Sequence, residues 1–298
     1  MQVGVIGLGS IGMGVALNLV RKGHEVIGCD LRAPAREELA AAGGRAVARA
    51  ADLPDGVGAV VVLVVNAAQA EQVLLGPDGC LPRLAGDGVV LCCVTMAPEA
   101  ARALGARLAE RGVAMLDAPV SGGAAGARAG RLTVMGSGPA AAFERVQPVF
   151  DAIAAKVWRL GEAHGAGSTV KMVNQLLAGV HIAAAAEAMA LGIRAGADPQ
   201  TLFDVITTSA GNSWMFQDRM PHVLAGDDTP RSAVSIFVKD LGIVLDQARS
   251  LTFPLPLAAA AHQLFLAAAA AGHAGADDAF VIRVWESLAG IALPERKT

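Results

Sequence analysis

The chain opens with VGVIGLGSIGMG, in which a β-branched run breaks into Gly7-Leu8-Gly9-Ser10-Ile11-Gly12 and resumes as a helix-forming stretch. No other feature restricts the fold as much. Glycines at this spacing permit a tight turn between strand and helix, and they remove side chains where backbone N–H groups face a ligand. The ligand that suits such a turn is a pyrophosphate. A second run, Glu25–Cys29, ends at Asp30, 23 residues after Gly7. There a carboxylate is placed to accept from both hydroxyls of a ribose. The expected dinucleotide contacts are therefore Gly7 to Gly12 with Asp30 and Leu31. Asp30 favours NAD, because a carboxylate repels the additional phosphate of NADP. Arg32 argues the other way, since a guanidinium just past the strand suits that phosphate.

Further β-branched runs follow at Ala59–Val65, Val89–Val94, Val113–Leu116, Leu132–Met135 and Lys156–Leu160, separated by helical stretches. This alternation predicts one parallel sheet covered on both faces, with strands that are continuously rather than alternately apolar. Ligands of such sheets bind beyond the carboxyl ends of the strands. Asn66 and Thr95 lie there and become candidate cofactor contacts, with strand-end capping as the alternative for each. After Gly161 the strand pattern stops. Ser168 reads as the N-cap of an apolar helix reaching about Ala195, and Asp198-Pro199 restarts another. Helical stretches continue over Ser232–Ser250, Leu257–Ala271 and Ala276–Ala289. The organisation expected is an α/β nucleotide-type domain over residues 1–162 and an all-α domain over residues 163–298.

Composition removes several alternatives. The 298 residues include no tyrosine, which excludes a tyrosine hydroxyl as acid or base. The four cysteines form no CxxC and have no histidine at ligand spacing, so neither a zinc site nor any other metal is expected, and a reducing cytoplasm is. A net charge of −3 without a basic run points away from nucleic acid. The longest apolar stretches fall short of the roughly 18 residues of a spanning helix, and Val3 follows no basic leader, so neither membrane nor secretion is expected.

Two segments carry the chemistry. In Asp117-Ala118-Pro119-Val120-Ser121-Gly122-Gly123 a hydroxyl and exposed N–H groups suit a carboxylate. In GAGSTVKMVN, Gly165 to Asn174, Lys171 lies in the first turn of the expected helix with Asn174 one turn on. The helix dipole and partial burial both disfavour an ammonium there, so the lysine pKa is expected to fall toward neutrality. Such a lysine accepts and returns protons, which arginine cannot. The chain has only five lysines against nineteen arginines. Lys239 in FVKDL is a weaker candidate, because Asp240 or a helix surface explains it equally well.

Taken together, GLGSIGMG, DAPVSGG, GAGSTVKMVN and KDL resemble the β-hydroxyacid dehydrogenases, over nearly the whole chain and in the same order. The one departure is Ile11, where many relatives have methionine. The resemblance implies a Rossmann-like N-terminal domain, a helical C-terminal domain, homodimers or homotetramers, and a small hydroxy acid as substrate. It implies Lys171 as the catalytic lysine, Asn174 as an orienting amide, Ser121, Gly122 and Gly123 as carboxylate binders, and Thr95 and Lys239 as cofactor contacts. Within the family the helical stretches look most like members that oxidise a four-carbon sugar acid. Such a substrate needs additional polar partners, and Asn212 and Ser213 are available, unless Asn212 merely caps the next helix. Two rival readings remain: an enzyme of the same kind acting on 3-hydroxyisobutyrate or on a tartronate semialdehyde or glycerate-type acid, and a non-catalytic NAD-binding subunit, which has no need of Lys171 and Asn174.

Overall fold

The computed structural model describes residues 1–294; the last four residues of the expected second domain lie outside them. Two compact units meet within one helix, Met1–Met172 and the remainder from Val173. The division falls ten residues beyond the expected boundary, because the first turn of that helix is bonded to strand ends of the first unit.

In the first unit β1 (Gln2–Ile6), β2 (Glu25–Cys29), β3 (Arg45–Val47), β4 (Val57–Val62), β5 (Leu84–Cys92) and β6 (Ala114–Asp117) form a parallel sheet ordered β3-β2-β1-β4-β5-β6. Burial on both faces explains the unbroken apolar runs. Val3, Val5, Ala59 and Val61 enter one core, where Val15 and Leu19 of α1 (Ser10–Arg21) also lie. Ile6, Val60 and Val62 enter the other, with Ala70 and Leu74 of α3 (Ala67–Leu75) and Leu104 and Leu108 of α4 (Pro98–Ala109). The short edge strand β3, which follows α2 (Ala33–Ala41), carries too few apolar residues to have been read from sequence. Strand order reverses between β1 and β4, so their carboxyl ends open the crevice where ligands of such sheets bind.

The expectation of a single sheet is corrected. Leu132–Gly136 (β8) pairs antiparallel with β7 (Val120–Ser121) and parallel with β9 (Ala154–Arg159), forming a separate three-stranded sheet. Pro119 supplies the reason: it has no N–H with which to continue the ladder beyond β6. Between these strands lie α5 (Gly123–Arg128), α6 (Ala140–Arg145) and α7 (Gln147–Ile153); the last two replace one expected helix, interrupted just before Pro148.

Helix α8 (Ala166–Arg194) runs from the first unit into the second. By length and composition alone it is long and apolar enough to cross a membrane, longer than the apolar stretches had suggested. Its Ile182, Ala186, Met189 and Ala190 are buried in the second unit's own core. Around that core stand α9 (Pro199–Thr207), α10 (Trp214–Leu224), α11 (Val234–Ser250), α12 (Pro256–Ala268) and α13 (Val284–Ala289). The expected Ala276–Ala289 helix is instead a tighter 3-10 stretch, Asp278–Arg283, capped by Asp277 through the Ala279 N–H and followed by α13.

Candidate active site

The turn after β1 has the geometry a pyrophosphate requires. Gly7 takes φ +91°, and a Cβ there would lie 2.7 Å from the Leu63 carbonyl oxygen. A Cβ on Gly12 would stand 1.8 Å from the Gly7 oxygen, so helix and turn touch backbone to backbone. Gly9, the residue before α1, has nothing within 4 Å of where its Cβ would be. That open space lies at the start of a helix, whose first N–H groups have no partner within the helix. Gly7, Leu8, Gly9, Ser10, Ile11 and Gly12 thus form a cradle that fits a dinucleotide phosphate.

Asp30 stands beside it. Its Oδ2 accepts from the Leu8 N–H at 2.8 Å, and its Oδ1 from the Arg32 N–H at 2.8 Å. The Arg32 guanidinium closes over the same carboxylate from Nε at 3.2 Å and Nη2 at 3.3 Å. Burial raises the Asp30 pKa, but these hydrogen bonds outweigh it and hold the group below the usual carboxylate range. Leu31 is exposed, and its carbonyl accepts from Arg36. Asn66 is the N-cap of α3, its Oδ1 accepting from the Gln69 N–H at 2.9 Å, which is the capping alternative read for it. Thr95 lies half-buried just past β5.

At the end of β6, Asp117 is buried and gathers the start of α8. Its Oδ2 accepts from the Gly165 and Ser168 N–H groups, both at 2.9 Å, and its Oδ1 from the Ser168 hydroxyl at 2.7 Å. The expectation that Ser168 caps the helix is corrected: α8 begins at Ala166, and the capping acceptor comes from a strand 51 residues away. A carboxylate at a helix N-terminus is favoured by the aligned peptide dipoles. Lys171 sits one turn further and is buried, with 8% of its surface exposed. In the same unit Ser121 ends β7, Gly122 turns with φ +126°, and Gly123 opens α5. All three are half-buried.

In the second unit, Asn174 donates from Nδ2 to the Gln175 Oε1 at 3.0 Å. Gln175 donates from Nε2 to the Asp240 Oδ2 at 2.6 Å, and Asp240 Oδ1 holds the Lys239 ammonium. Asn212 donates to the Thr207 carbonyl at 3.1 Å, while its Oδ1 is buried without a hydrogen-bond partner. The cap of α10 is Ser213, whose Oγ accepts from the Phe216 N–H at 3.0 Å, and not Asn212.

Among the described residues no group of three His, Cys, Asp or Glu side chains could hold a metal ion. Burial pushes the Cys29 thiol to about 11 and those of Cys80 and Cys92 to about 12. None of these three is poised as a nucleophile.

Comparison with known proteins is consistent along the chain. Residues 2–161 match the NAD-binding domain of 6-phosphogluconate dehydrogenase, and residues 165–285 the NAD-binding domain of NADP-dependent 3-hydroxyisobutyrate dehydrogenase. The L-threonate dehydrogenase of Cupriavidus necator is 58% identical over 98% of this chain and 98% of its own. That of Escherichia coli K12 is 51% identical over 100% of this chain and 98% of its own. A crystal structure described as 3-hydroxyisobutyrate dehydrogenase from Salmonella typhimurium superposes with a TM-score of 0.91 at 51% identity, covering 95% of this chain and 99% of that one. The chain belongs to the β-hydroxyacid dehydrogenase family.

It is accordingly an NAD-dependent hydroxyacid dehydrogenase. For such an enzyme the structure brings the glycine turn, Asp30, Thr95, Ser121–Gly123 and Lys171 into one compact unit, and Asn174, Lys239, Asn212 and Ser213 into the other. Three buried residues were not singled out from sequence: Asp117, Gln175 and Asp240. For Asp117 a signal existed, a carboxylate at a strand's carboxyl end. Asp240 was legible only as a partner of Lys239, and for its link to Gln175, 65 residues away, no signal existed.

Proposed function

We propose that the enzyme oxidises L-threonate, a four-carbon sugar acid, to the corresponding 2-keto acid. Support for the reaction comes chiefly from Lys171, a buried amine one turn into a helix whose start Asp117 fixes, in the same unit as the cofactor cradle. Support for the substrate comes from the relatives named L-threonate dehydrogenase. When bound, NAD takes a hydride from the carbon that bears the reacting hydroxyl. The Ser121 hydroxyl and the N–H groups of Gly122 and Gly123 hold the substrate carboxylate. Lys171 Nζ, as the free amine, takes the hydroxyl proton, and as the ammonium it then steadies the new carbonyl oxygen. Run backwards, the same nitrogen returns the proton. Asn174 orients the substrate, and Asn212 and Ser213 serve its remaining hydroxyls. Ser213 keeps its hydroxyl hydrogen for this purpose, because capping uses only the oxygen. Gly7 to Gly12, Asp30 and Leu31 hold the dinucleotide, with Thr95 and Lys239 as further contacts and Asn66 through its remaining amide hydrogens.

The enzyme works as a homodimer or homotetramer in the cytoplasm. Val173, Leu177 and Leu191 support association, being at least half exposed at spacings that share one face of α8. Four free, buried cysteines support a reducing compartment.

The test compares kcat/KM for L-threonate and 3-hydroxyisobutyrate with NAD, in the wild type and in Lys171→Arg. L-threonate should be preferred, and Lys171→Arg should lower kcat by about 10²–10⁴-fold while NAD still binds. Preference for 3-hydroxyisobutyrate would overturn the substrate. An arginine variant with the wild-type rate would overturn the role of Lys171.

A further inference from the structure

The side chains of Asn174, Gln175, Asp240 and Lys239 form a chain of hydrogen bonds within the second unit, and its direction is fixed from one end. A carboxylate only accepts. Asp240 is buried, with 2% of its surface exposed, and its Oδ1 is taken by the Lys239 ammonium. Its Oδ2 must therefore face the nitrogen of Gln175, which it does at 2.6 Å. That turns the Gln175 oxygen toward Asn174, where it accepts from Nδ2 at 3.0 Å. Gln175 is itself buried, so water does not compete for these positions. The consequence lies at the far end. With Nδ2 engaged by Gln175, Asn174 keeps its carbonyl oxygen available as an acceptor. In the opposite orientation Gln175 would engage that oxygen, and Asn174 would turn its N–H donors outward instead.

We propose that Asp240, acting through Gln175, sets the orientation of the Asn174 amide, so that the enzyme presents an acceptor to a substrate hydroxyl. Gln175 and Asp240 are positioning residues in this scheme, and the selected chemistry is a hydroxy acid with a hydroxyl to donate to Asn174. This rests on Asn174 being a substrate contact, as proposed above. A relay of this kind carries information as well as stability, because each amide has two orientations and its neighbour decides between them.

Inverting the first member should invert the rest. In Asp240→Asn the new amide oxygen stays with the Lys239 ammonium, the stronger donor, and its NH2 faces Gln175. Gln175 then turns over, and so does Asn174, which now meets the substrate hydroxyl with N–H. Adding Gln175→Glu restores the original sense: the new carboxylate accepts from the introduced amide and from Asn174 Nδ2 together, and the net charge returns to its starting value. Gln175→Glu alone sets two carboxylates against each other.

The experiment measures kcat/KM for L-threonate, the NAD dissociation constant and the melting temperature in Asp240→Asn, Gln175→Glu, the double variant, Gln175→Met and Asn174→Ala. Each single change at 175 or 240 should lower kcat/KM by about 10–100-fold, the effect of an unmatched polar group. The double variant should return to within about 5-fold of wild type. Gln175→Met, which leaves the Asp240–Lys239 pair in place, should lower kcat/KM for the acid while NAD binding is unchanged. If Asp240→Asn does not fold, Gln175→Met carries the test, and wild-type kcat/KM in it overturns the relay. A double variant no better than the worse single also overturns it. Full activity in Asn174→Ala would instead remove the substrate contact on which the relay acts. Loss in Asn174→Ala without recovery in the double variant would leave that contact standing and reject the relay alone.

Discussion

Asp30 shows how one side chain combines a legible and an illegible part. Its distance from the glycine turn follows from the length of a strand-helix-strand unit, so spacing alone located it. What spacing did not reveal is that Arg32 closes over the same carboxylate and also donates to the Leu8 carbonyl. Both carboxylate oxygens already accept two N–H groups each. On the proposed ribose contact, the hydroxyls would therefore displace the Arg32 side chain and leave the backbone donors in place. The low pKa of Asp30 keeps it charged at neutral pH, so it receives hydroxyls well and a phosphate poorly. Hydrogen bonds to charged groups contribute about 1.5–3 kcal/mol, so Asp30→Ala should weaken NAD by about 10–100-fold. NADP should weaken less, because the alanine removes repulsion together with the hydrogen bonds. Fluorescence titration with both reduced cofactors checks this, and equal losses would remove Asp30 from cofactor choice.

At the scale of elements, the strands of the main sheet other than the short edge strand β3 were legible because burial on both faces demands unbroken apolar runs, as in Val57–Val62. The partners of Leu132–Gly136 were not. A strand's pattern records which of its faces are buried, and says nothing of which sheet it joins. The start of α8 was misread for a related reason: Ser168 is a good capping residue, yet its hydroxyl donates to Asp117 instead of receiving a helix N–H. Asp117→Ala would strand the Gly165 and Ser168 N–H groups in a buried site, together with the Ser168 and Ser137 hydroxyls. A loss on the order of 2–3 kcal/mol follows from a missing cap and unsatisfied donors. Because Lys171 lies one turn beyond, kcat should fall as well. Asp117→Asn keeps an acceptor for one N–H and should recover part of the stability. Urea melts with parallel rate measurements check both, and a wild-type melt in Asp117→Ala would show that α8 is anchored elsewhere.

For the molecule as a whole, two domains were expected from the change in sequence grammar, and the interior of the second was left unread. A helical core was expected, and it contains a pair of aspartates next to each other in sequence with opposite behaviour. Asp277 accepts from His222 Nδ1 and from the Arg231 and Ala279 N–H groups; burial raises its pKa, but these bonds outweigh it and hold it low. Asp278 faces Arg219 at 2.6 Å, yet burial pushes its pKa up to about 6 against the attraction of that guanidinium. The two act on stability with opposite sign. Asp277 stabilises above the usual carboxylate pKa, and that contribution is lost as the pH falls through its low native value. Asp278 takes up a proton more readily folded than unfolded, so its contribution is present at acid pH and is lost as the pH rises through about 6. Removing Arg219 separates them. Arg219→Met leaves Asp278 charged and buried without its strongest partner at pH 8, where a loss of about 3–5 kcal/mol is expected. At pH 5 the carboxyl is protonated and no longer needs the guanidinium, so much of that loss should disappear. Urea melts of wild type and variant at the two pH values decide it. An equal deficit at both would mean that Arg219 stabilises this core through the packing of its stem, and that the charge of Asp278 is already satisfied by its surroundings.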